Sequence, residues 1–252
     1  MAVVLVGVGA DSTNTNPVPS INPDGTYDYI PIPESTLTVE SRAYGNLELK
    51  HQDGTAAHHI EGIRPFDTDG DWIRDHDIIR EHPFHFDPDF EALTFGDSRK
   101  GTGSTLADKL EKGDGIGFYT GLEGPHSHLH RYIYGFFTVN EVADLSGLEK
   151  DTFHEQLRQF PENAHAKRLA RRGKSKHYDL VIVDGTEPAL QLNKPIKISR
   201  RRNDRPPTYE LTEKIVEELD IENGPVVMDR KPALTSPLSL EVFLQQLKGL
   251  SE

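Results

Sequence analysis

A mixed α+β fold is what this sequence predicts, and three observations predict it. Short apolar runs rich in Val, Ile and Tyr read as strands, while other segments carry apolar residues at helical spacing. The two kinds do not alternate as regular βαβ units. The sheet is therefore expected to be partly antiparallel, within a single domain spanning all 252 residues and carrying peripheral helices.

Val3–Val8 is the first expected strand, followed by a loop from Gly9 to Pro23 rich in Asn, Ser, Thr and Pro. Pro23-Asp24-Gly25-Thr26 reads as a turn into a second strand, Tyr27–Ile32, ended by Pro31 and Pro33. Residues 40–80 are polar and irregular. A short helix is expected from Ser104, with Leu106 and Leu110 on one face and a stop at Gly113. Ile116–Thr120 and Tyr132–Val139 follow as strands. Leu148–Phe160 has Phe153, Leu157 and Phe160 at helical spacing. Leu180–Val183 and Ile196–Ser199 read as two further strands, and Thr208–Leu219 and Leu238–Leu250 as helices.

Composition narrows the setting. The chain has no cysteine, which excludes disulfides and thiolate metal sites and suits a reducing cytoplasm. Its apolar start is short and lacks a basic leader, so it reads as a buried strand and not as a signal peptide or membrane span. No membrane partner is expected. Formal charge is −13, from 41 Asp+Glu against 28 Lys+Arg, with hydrophobic residues at 35%. That balance suits a halophilic, salt-rich cytoplasm, or a merely acidic protein at ordinary salt. At ~1 M salt the Debye length is about 3 Å, so an acidic chain can approach nucleic acid without long-range repulsion.

The charge is uneven. Residues 165–205 hold twelve Lys/Arg against four Asp/Glu, a net +8 on an acidic chain. Its two clusters include Arg168, Arg171, Arg172, Lys174, Arg200, Arg201 and Arg202 and flank a strand-like run. They make a candidate phosphate-contacting surface for DNA or a nucleotide. The bland alternative is a solvated loop whose arginines pair with nearby carboxylates.

Chemistry concentrates in His82-Pro83-Phe84-His85-Phe86-Asp87-Pro88-Asp89-Phe90. In extended form Phe84 and Phe86 share one face, with His85 and Asp87 on the other. His82, His85, Asp87 and Asp89 offer nitrogen and oxygen ligands for a divalent metal of the zinc, manganese or iron type, with His85 and Asp87 leading. A His beside an Asp also suits a general base and its orienting carboxylate. The alternative is a Pro-bounded loop whose side chains satisfy backbone groups. Two weaker constellations are His126, His128 and His130 between two strands, as a metal clip or a polar loop, and the Asp-rich stretch Asp67–Asp77, as a calcium loop. Gly7-Val8-Gly9 lacks a third glycine and a following helix, which argues against dinucleotide binding, and there is no phosphate-loop lysine motif and no Gly-x-Ser-x-Gly elbow.

Val6-Gly7-Val8-Gly9-Ala10-Asp11 and Ile21-Asn22-Pro23-Asp24-Gly25-Thr26-Tyr27 through Pro31-Ile32-Pro33-Glu34 are followed in order by His85-Phe86-Asp87-Pro88-Asp89-Phe90 and Leu93-Thr94-Phe95-Gly96-Asp97. Gly113-Asp114-Gly115-Ile116, Arg131-Tyr132-Ile133-Tyr134-Gly135-Phe136 and Asn163-Ala164-His165 come next. Together these resemble the third type of nucleotide modification associated domain over most of the chain. The resemblance implies systems that modify or recognise altered nucleobases in DNA, with other proteins of such systems as partners. It marks Asp11, Asp24, His85, Asp87, Asp89, Asp97, Asp114 and His165 as positions with useful chemistry. The middle of the chain also resembles the small β-barrel of PUA-like domains. Phe118, Tyr132, Tyr134 and Phe136 there are either base-stacking residues or core, and for most of them core fits better.

Two functions follow. In the first the chain is a base- or nucleotide-modifying enzyme, with His85, Asp87, Asp89, Asp11 and Asp24 carrying acid/base or metal chemistry, and with His165 and the basic island holding phosphates. In the second it is a reader that binds a modified base or single-stranded nucleic acid unchanged. The balance leans slightly to catalysis.

Overall fold

The computed structural model describes residues 1–34, 38–65, 70–124, 128–172, 179–202, 208–222, 224 and 233–251. Its strands are β1 (Val3–Gly7), β2 (Thr15–Asn16), β3 (Ile32–Pro33), β4 (Gly62–Ile63), β5 (Phe84–His85) and β6 (Thr94–Ser98). They continue as β7 (Gly115–Glu123), β8 (Leu129–Asp144), β9 (Leu180–Lys197), β10 (Ser199–Arg201), β11 (Tyr209–Leu211) and β12 (Ala233–Ser236). The helices are α1 (His76–Glu81), α2 (Gly103–Lys109), α3 (Lys150–Leu157), α4 (Ala164–Arg172), α5 (Glu213–Glu218) and α6 (Leu240–Ser251). The fold class is α+β, as the sequence predicts.

A six-stranded sheet, ordered β12-β1-β7-β8-β9-β6, forms the centre. Only β1 and β7 run parallel in it; every other neighbouring pair is antiparallel. The long strands β8 and β9 shift register at three points, and such bulges bend a strand and raise its twist. The sheet therefore curls into a half-barrel, and its edges β12 and β6 do not pair among the described residues.

Both faces are buried, which is why β1 reads as an unbroken apolar run. Val3 and Leu5 face a core built with α5 and α6 through Ile215, Leu219, Phe243 and Leu247. Val4 and Val6 face the opposite core with Phe95, Leu106, Phe118, Tyr134 and Phe137. A smaller core, with Ala10, Tyr44, Ile63, Ile79 and Phe84, holds the irregular arm over residues 10–86. The fourth packs α3 and α4 through Phe153, Leu157 and Ala166 onto Leu180 and Ile182 of β9. No helix among the described residues is long and apolar enough to cross a membrane.

Four expectations change. Tyr27–Ile32 is no strand: Tyr27 makes a single bridge to Ile21, and its ring turns into the core, where its hydroxyl donates to the Tyr134 carbonyl at 3.2 Å. Leu180–Val183 and Ile196–Ser199 are not two separate strands, because the first stretch and Ile196 lie in the one strand β9. The helix expected from Thr208 starts later, at Glu213. Tyr209–Leu211 pairs antiparallel with β10, the strand just before it in the chain, and that pairing overrides local helical spacing. Helix α4 lies in a stretch that reads from sequence as a basic cluster.

Candidate functional site

Three separate parts of the chain build the site. The first is the β3–β5 ladder, which places Ile32 opposite His85 and Pro33 opposite Phe84. The ladder continues as the Glu34 amide donates to the Pro83 carbonyl at 3.0 Å. Glu34 thus lies beside His85, and its Oε2 sits 2.7 Å from His85 Nδ1. The alternation read from sequence holds for the aromatics: Phe84 is buried and Phe86 packs against the same small core. His85 and Asp87 are buried too, at 5% and 6% exposure, so the polar face of this stretch turns into the protein.

The second part is the return from Asp87 into β6. Asp89 and Thr94 exchange backbone hydrogen bonds at 3.0 and 3.1 Å, which brings Gly96 back alongside Asp87. The Gly96 amide donates to both Asp87 carboxylate oxygens, at 3.0 and 3.2 Å. Phe90 secures this turn to the sheet by packing on Phe118, Tyr134 and Phe137. Gly135 leaves room for it, since a Cβ at that position would collide with the Phe90 ring.

The third part is α4. Asn163 sits just before the helix, and its Oδ1 accepts from the amides of His165 (3.0 Å) and Ala166 (3.3 Å), the ordinary work of a helix N-cap. Its Nδ2 donates to Thr94 Oγ1 at 3.0 Å, tying the helix start to β6. Three residues apart on one helical face, His165 and Arg168 both reach the cluster. Glycine at 96 permits the approach: a Cβ there would stand 3.0 Å from His165 Cδ2.

In the result, His85 Nε2 is 3.3 Å from His165 Nε2, and Asp87 Oδ2 is 3.3 Å from His165 Nε2 and 3.7 Å from His85 Nε2. On the other side of His85, Arg168 Nε donates to Glu34 Oε1 at 2.6 Å. Arg168 Nη2 lies 3.0 Å from His85 Nδ1. Glu34 can only accept and Arg168 only donate, so they compete for Nδ1; the nearer carboxylate, at 2.7 Å against 3.0 Å, favours the proton on that nitrogen and a lone pair on Nε2 toward Asp87 and His165.

Burial dominates the titration of the cluster. It pushes the Asp87 carboxyl up to about 8, with Asp97 adding repulsion and His85, the Gly96 amide and Arg168 pulling the other way. His165 is driven down to about 4 by burial and then by the Arg168 charge. Burial also lowers His85, against the hydrogen bond that the ring donates to Glu34. Glu34 behaves oppositely: burial disfavours its charge, but His85 and Arg168 outweigh that and hold it at about 2. With no cation at the cluster, burial thus favours neutral imidazoles and a protonated Asp87 beside the Glu34–Arg168 ion pair.

Of the residues singled out from sequence, His85, Asp87 and His165 come together. Asp89 does not join them, because its Oδ1 accepts from the Glu91 and Ala92 amides and its Oδ2 from Arg42. Asp11 accepts from the Thr13 amide and hydroxyl, and Asp24 does the same with Thr26; both shape turns. His82 Nε2 lies 2.9 Å from the Glu34 carbonyl oxygen, which only accepts, so the ring carries its proton on that nitrogen and donates. Asp97 caps toward Thr102 and Ser98, and Asp114 accepts from the amides of Ala2 and Glu111. Asp67, Asp69, His126 and Lys174 lie outside the described residues, as does the Arg172 side chain. Asp75 caps α1, and His130 packs edge-on against Tyr209.

The basic island divides. Arg168 turns inward to Glu34, and Lys167 pairs with Glu40 and Glu162. Arg200 and Arg202 pair with Glu210, while Arg171 and Arg201 are exposed. Phe118, Tyr132, Tyr134 and Phe136 are all core residues. Glu34 is the member that residue-by-residue reading passes over, although a carboxylate directly after Pro31-Ile32-Pro33 is a signal for it. The N-cap residue Asn163 was the corresponding signal for α4.

This architecture has a family. The family model described as nucleotide modification associated domain 3 matches residues 2–239, a span that includes every residue of the cluster. The chain belongs to that family. No curated protein and no solved structure matches it. The nucleotide modification associated domain thus brings Glu34, His85, Asp87, His165 and Arg168 together from distant parts of one matched span.

Proposed function

We propose that this nucleotide modification associated domain is an enzyme acting on a nucleobase or nucleotide, with His85, Asp87 and His165 as its working groups. The observation that carries the reading is the meeting of His85, Asp87 and His165 from separate parts of the chain, with their facing polar atoms 3.3, 3.3 and 3.7 Å apart. Burial shifts Asp87 upward and His165 downward, and strongly perturbed neighbours of this kind gather where proteins do chemistry. His165, whose side chain is 20% exposed against 3% for Asp87, is the member of the cluster nearest solvent. His85 stands behind both, oriented by Glu34 and Arg168.

Family membership supports a nucleotide or DNA substrate within a DNA-modification system, with other proteins of that system as partners. The exposed guanidinium groups of Arg171 and Arg201 suit phosphate contacts. A chain without cysteine suits a reducing cytoplasm. The buried aromatics of the sheet favour catalysis over a reader that stacks bases on Phe118 or Tyr134.

The test is nucleoside mass spectrometry on DNA from cells carrying the surrounding modification genes with either the wild-type chain or His165→Ala. Loss of a modified nucleoside in the variant, with DNA binding by the purified chain retained, is the expected result. An unchanged nucleoside profile overturns the catalytic reading.

A further inference from the structure

We propose that His85 Nε2, His165 Nε2 and Asp87 Oδ2 are the three protein ligands of one tetrahedral divalent transition-metal ion, with Glu34 and Arg168 positioning His85. The inference rests on the reading of this cluster as the working site and names what that site holds.

Geometry is the first argument. Metal–nitrogen and metal–oxygen bonds of about 2.0–2.2 Å at tetrahedral angles separate neighbouring donor atoms by roughly 3.3–3.6 Å. The three separations here are 3.3, 3.3 and 3.7 Å. These atoms come from a β-strand, the turn after it and the first turn of a helix, so no local motif forces them together.

The second argument is an excess of acceptors. With its proton on Nδ1 toward Glu34, His85 presents a lone pair at Nε2, and the Asp87 carboxylate adds another acceptor in the same space. Among the described residues the ion-pair contacts of Asp87 are the two imidazoles alone, and its side chain is 3% exposed. A buried carboxylate needs a counter-charge or a proton. One proton can lie on only one line between two of these three atoms, whereas one cation satisfies all three.

The surroundings match the ordinary support of a metal-binding histidine, whose far nitrogen donates to a carboxylate that fixes tautomer and ring orientation. Glu34 does this at 2.7 Å, and Arg168 in turn holds Glu34 at 2.6 Å. Two imidazoles and one carboxylate favour zinc, cobalt, iron or manganese over calcium or magnesium, which take mostly oxygen ligands in larger number. The partial exposure of His165 puts the fourth coordination position on the solvent side, open to water or a substrate oxygen.

The experiment is titration of the metal-depleted full chain with Zn2+ by calorimetry and with Co2+ by visible absorption. One ion per chain and the intense Co2+ bands of a tetrahedral site are expected, with affinity falling about 100-fold or more in His165→Ala and in His85→Ala. Absence of stoichiometric binding, a weak octahedral Co2+ spectrum, or affinity unchanged in both variants would falsify the proposal. The wild-type Co2+ spectrum decides even if a variant fails to fold. Should His165 prove essential for DNA modification while no ion binds, the ion is wrong and the function stands. Stoichiometric metal with no effect of His165 on modification is the reverse case.

Discussion

Arg168 Nε lies 2.6 Å from Glu34 Oε1, across 134 residues of sequence, and the same guanidinium approaches His85 Nδ1 to 3.0 Å. Glu34 is 1% exposed and Arg168 19%, so this ion pair sits at the inner wall of the site. It links α4 to the β3–β5 ladder.

Arg168→Ala leaves Glu34 buried without its cation. Breaking a buried pair by removing one partner costs about 3–5 kcal/mol, and the partial exposure of Arg168 favours the lower end. Chemical denaturation should read this loss. Arg168→Lys is expected to recover only part, since Lys cannot reproduce the directional Nε–H contact to the carboxylate. Full recovery by Lys would reduce the pair to a simple charge contact.

Glu34→Gln keeps the shape but removes the charge that orients His85. With the ion in place, a change of this kind lowers metal affinity about 10- to 100-fold. Calorimetry with Zn2+ checks it, with the far-ultraviolet circular dichroism expected to stay as in the wild type.

Gly96→Ala puts a Cβ 3.0 Å from His165 Cδ2 and 3.2 Å from the Asn163 amide atoms. Backbone fixes one side and the capped start of α4 the other, so neither yields easily. Overpacking of this sort costs about 1–3 kcal/mol. Displacing His165 should also abolish function at the cluster. A variant with wild-type stability and wild-type activity would show that the contact is slack.

Asn163→Ala removes the cap of α4 and the hydrogen bond to Thr94 together. Loss of an N-cap costs about 0.5–2 kcal/mol. Asn163→Asp keeps the capping oxygen but loses the donor to Thr94, so thermal unfolding of the two variants separates the contributions.

Glu40 governs an acid-sensitive contact outside the cluster. Burial alone would raise its carboxyl, but hydrogen bonds from the Arg42 side chain and backbone, the Arg42 charge and Lys167 hold it down at about 2, from an ordinary 4.5. A carboxyl lowered on folding stabilises the protein above its unfolded value, and that contribution disappears as pH falls through the folded one. The stabilisation is therefore complete above 4.5 and lost progressively toward about 2. Unfolding midpoints measured across that window should fall less steeply in Glu40→Gln than in the wild type.

Much of the sheet was legible locally. The runs Val3–Val8, Ile116–Thr120 and Tyr132–Val139 became β1, β7 and β8 because burial on both faces demands continuous apolar residues. Tyr209–Leu211 was not legible as a strand, because it is three residues long and runs almost directly into α5, whose helical spacing it shares. Lys167, Arg168 and Arg171 lie in the stretch that read as a candidate phosphate-contacting surface, but two of the three pair with buried carboxylates, as the alternative reading had it. Charge counts carry no information about which way a side chain turns.

By itself the sequence determined the α+β class, the cysteine-free acidic composition, the strands buried on both faces and the stretch where His85 and Asp87 lie two residues apart. Tertiary structure alone decided that His165, 80 residues on, stands opposite His85, and that Glu34 and Arg168 brace it from behind. It also decided that Asp89, Asp11 and Asp24 serve turns and ion pairs away from that point. The physical reason is one of range. Periodicity and caps act over a few residues and show in sequence, whereas the meeting of three side chains depends on how a helix packs against a strand edge.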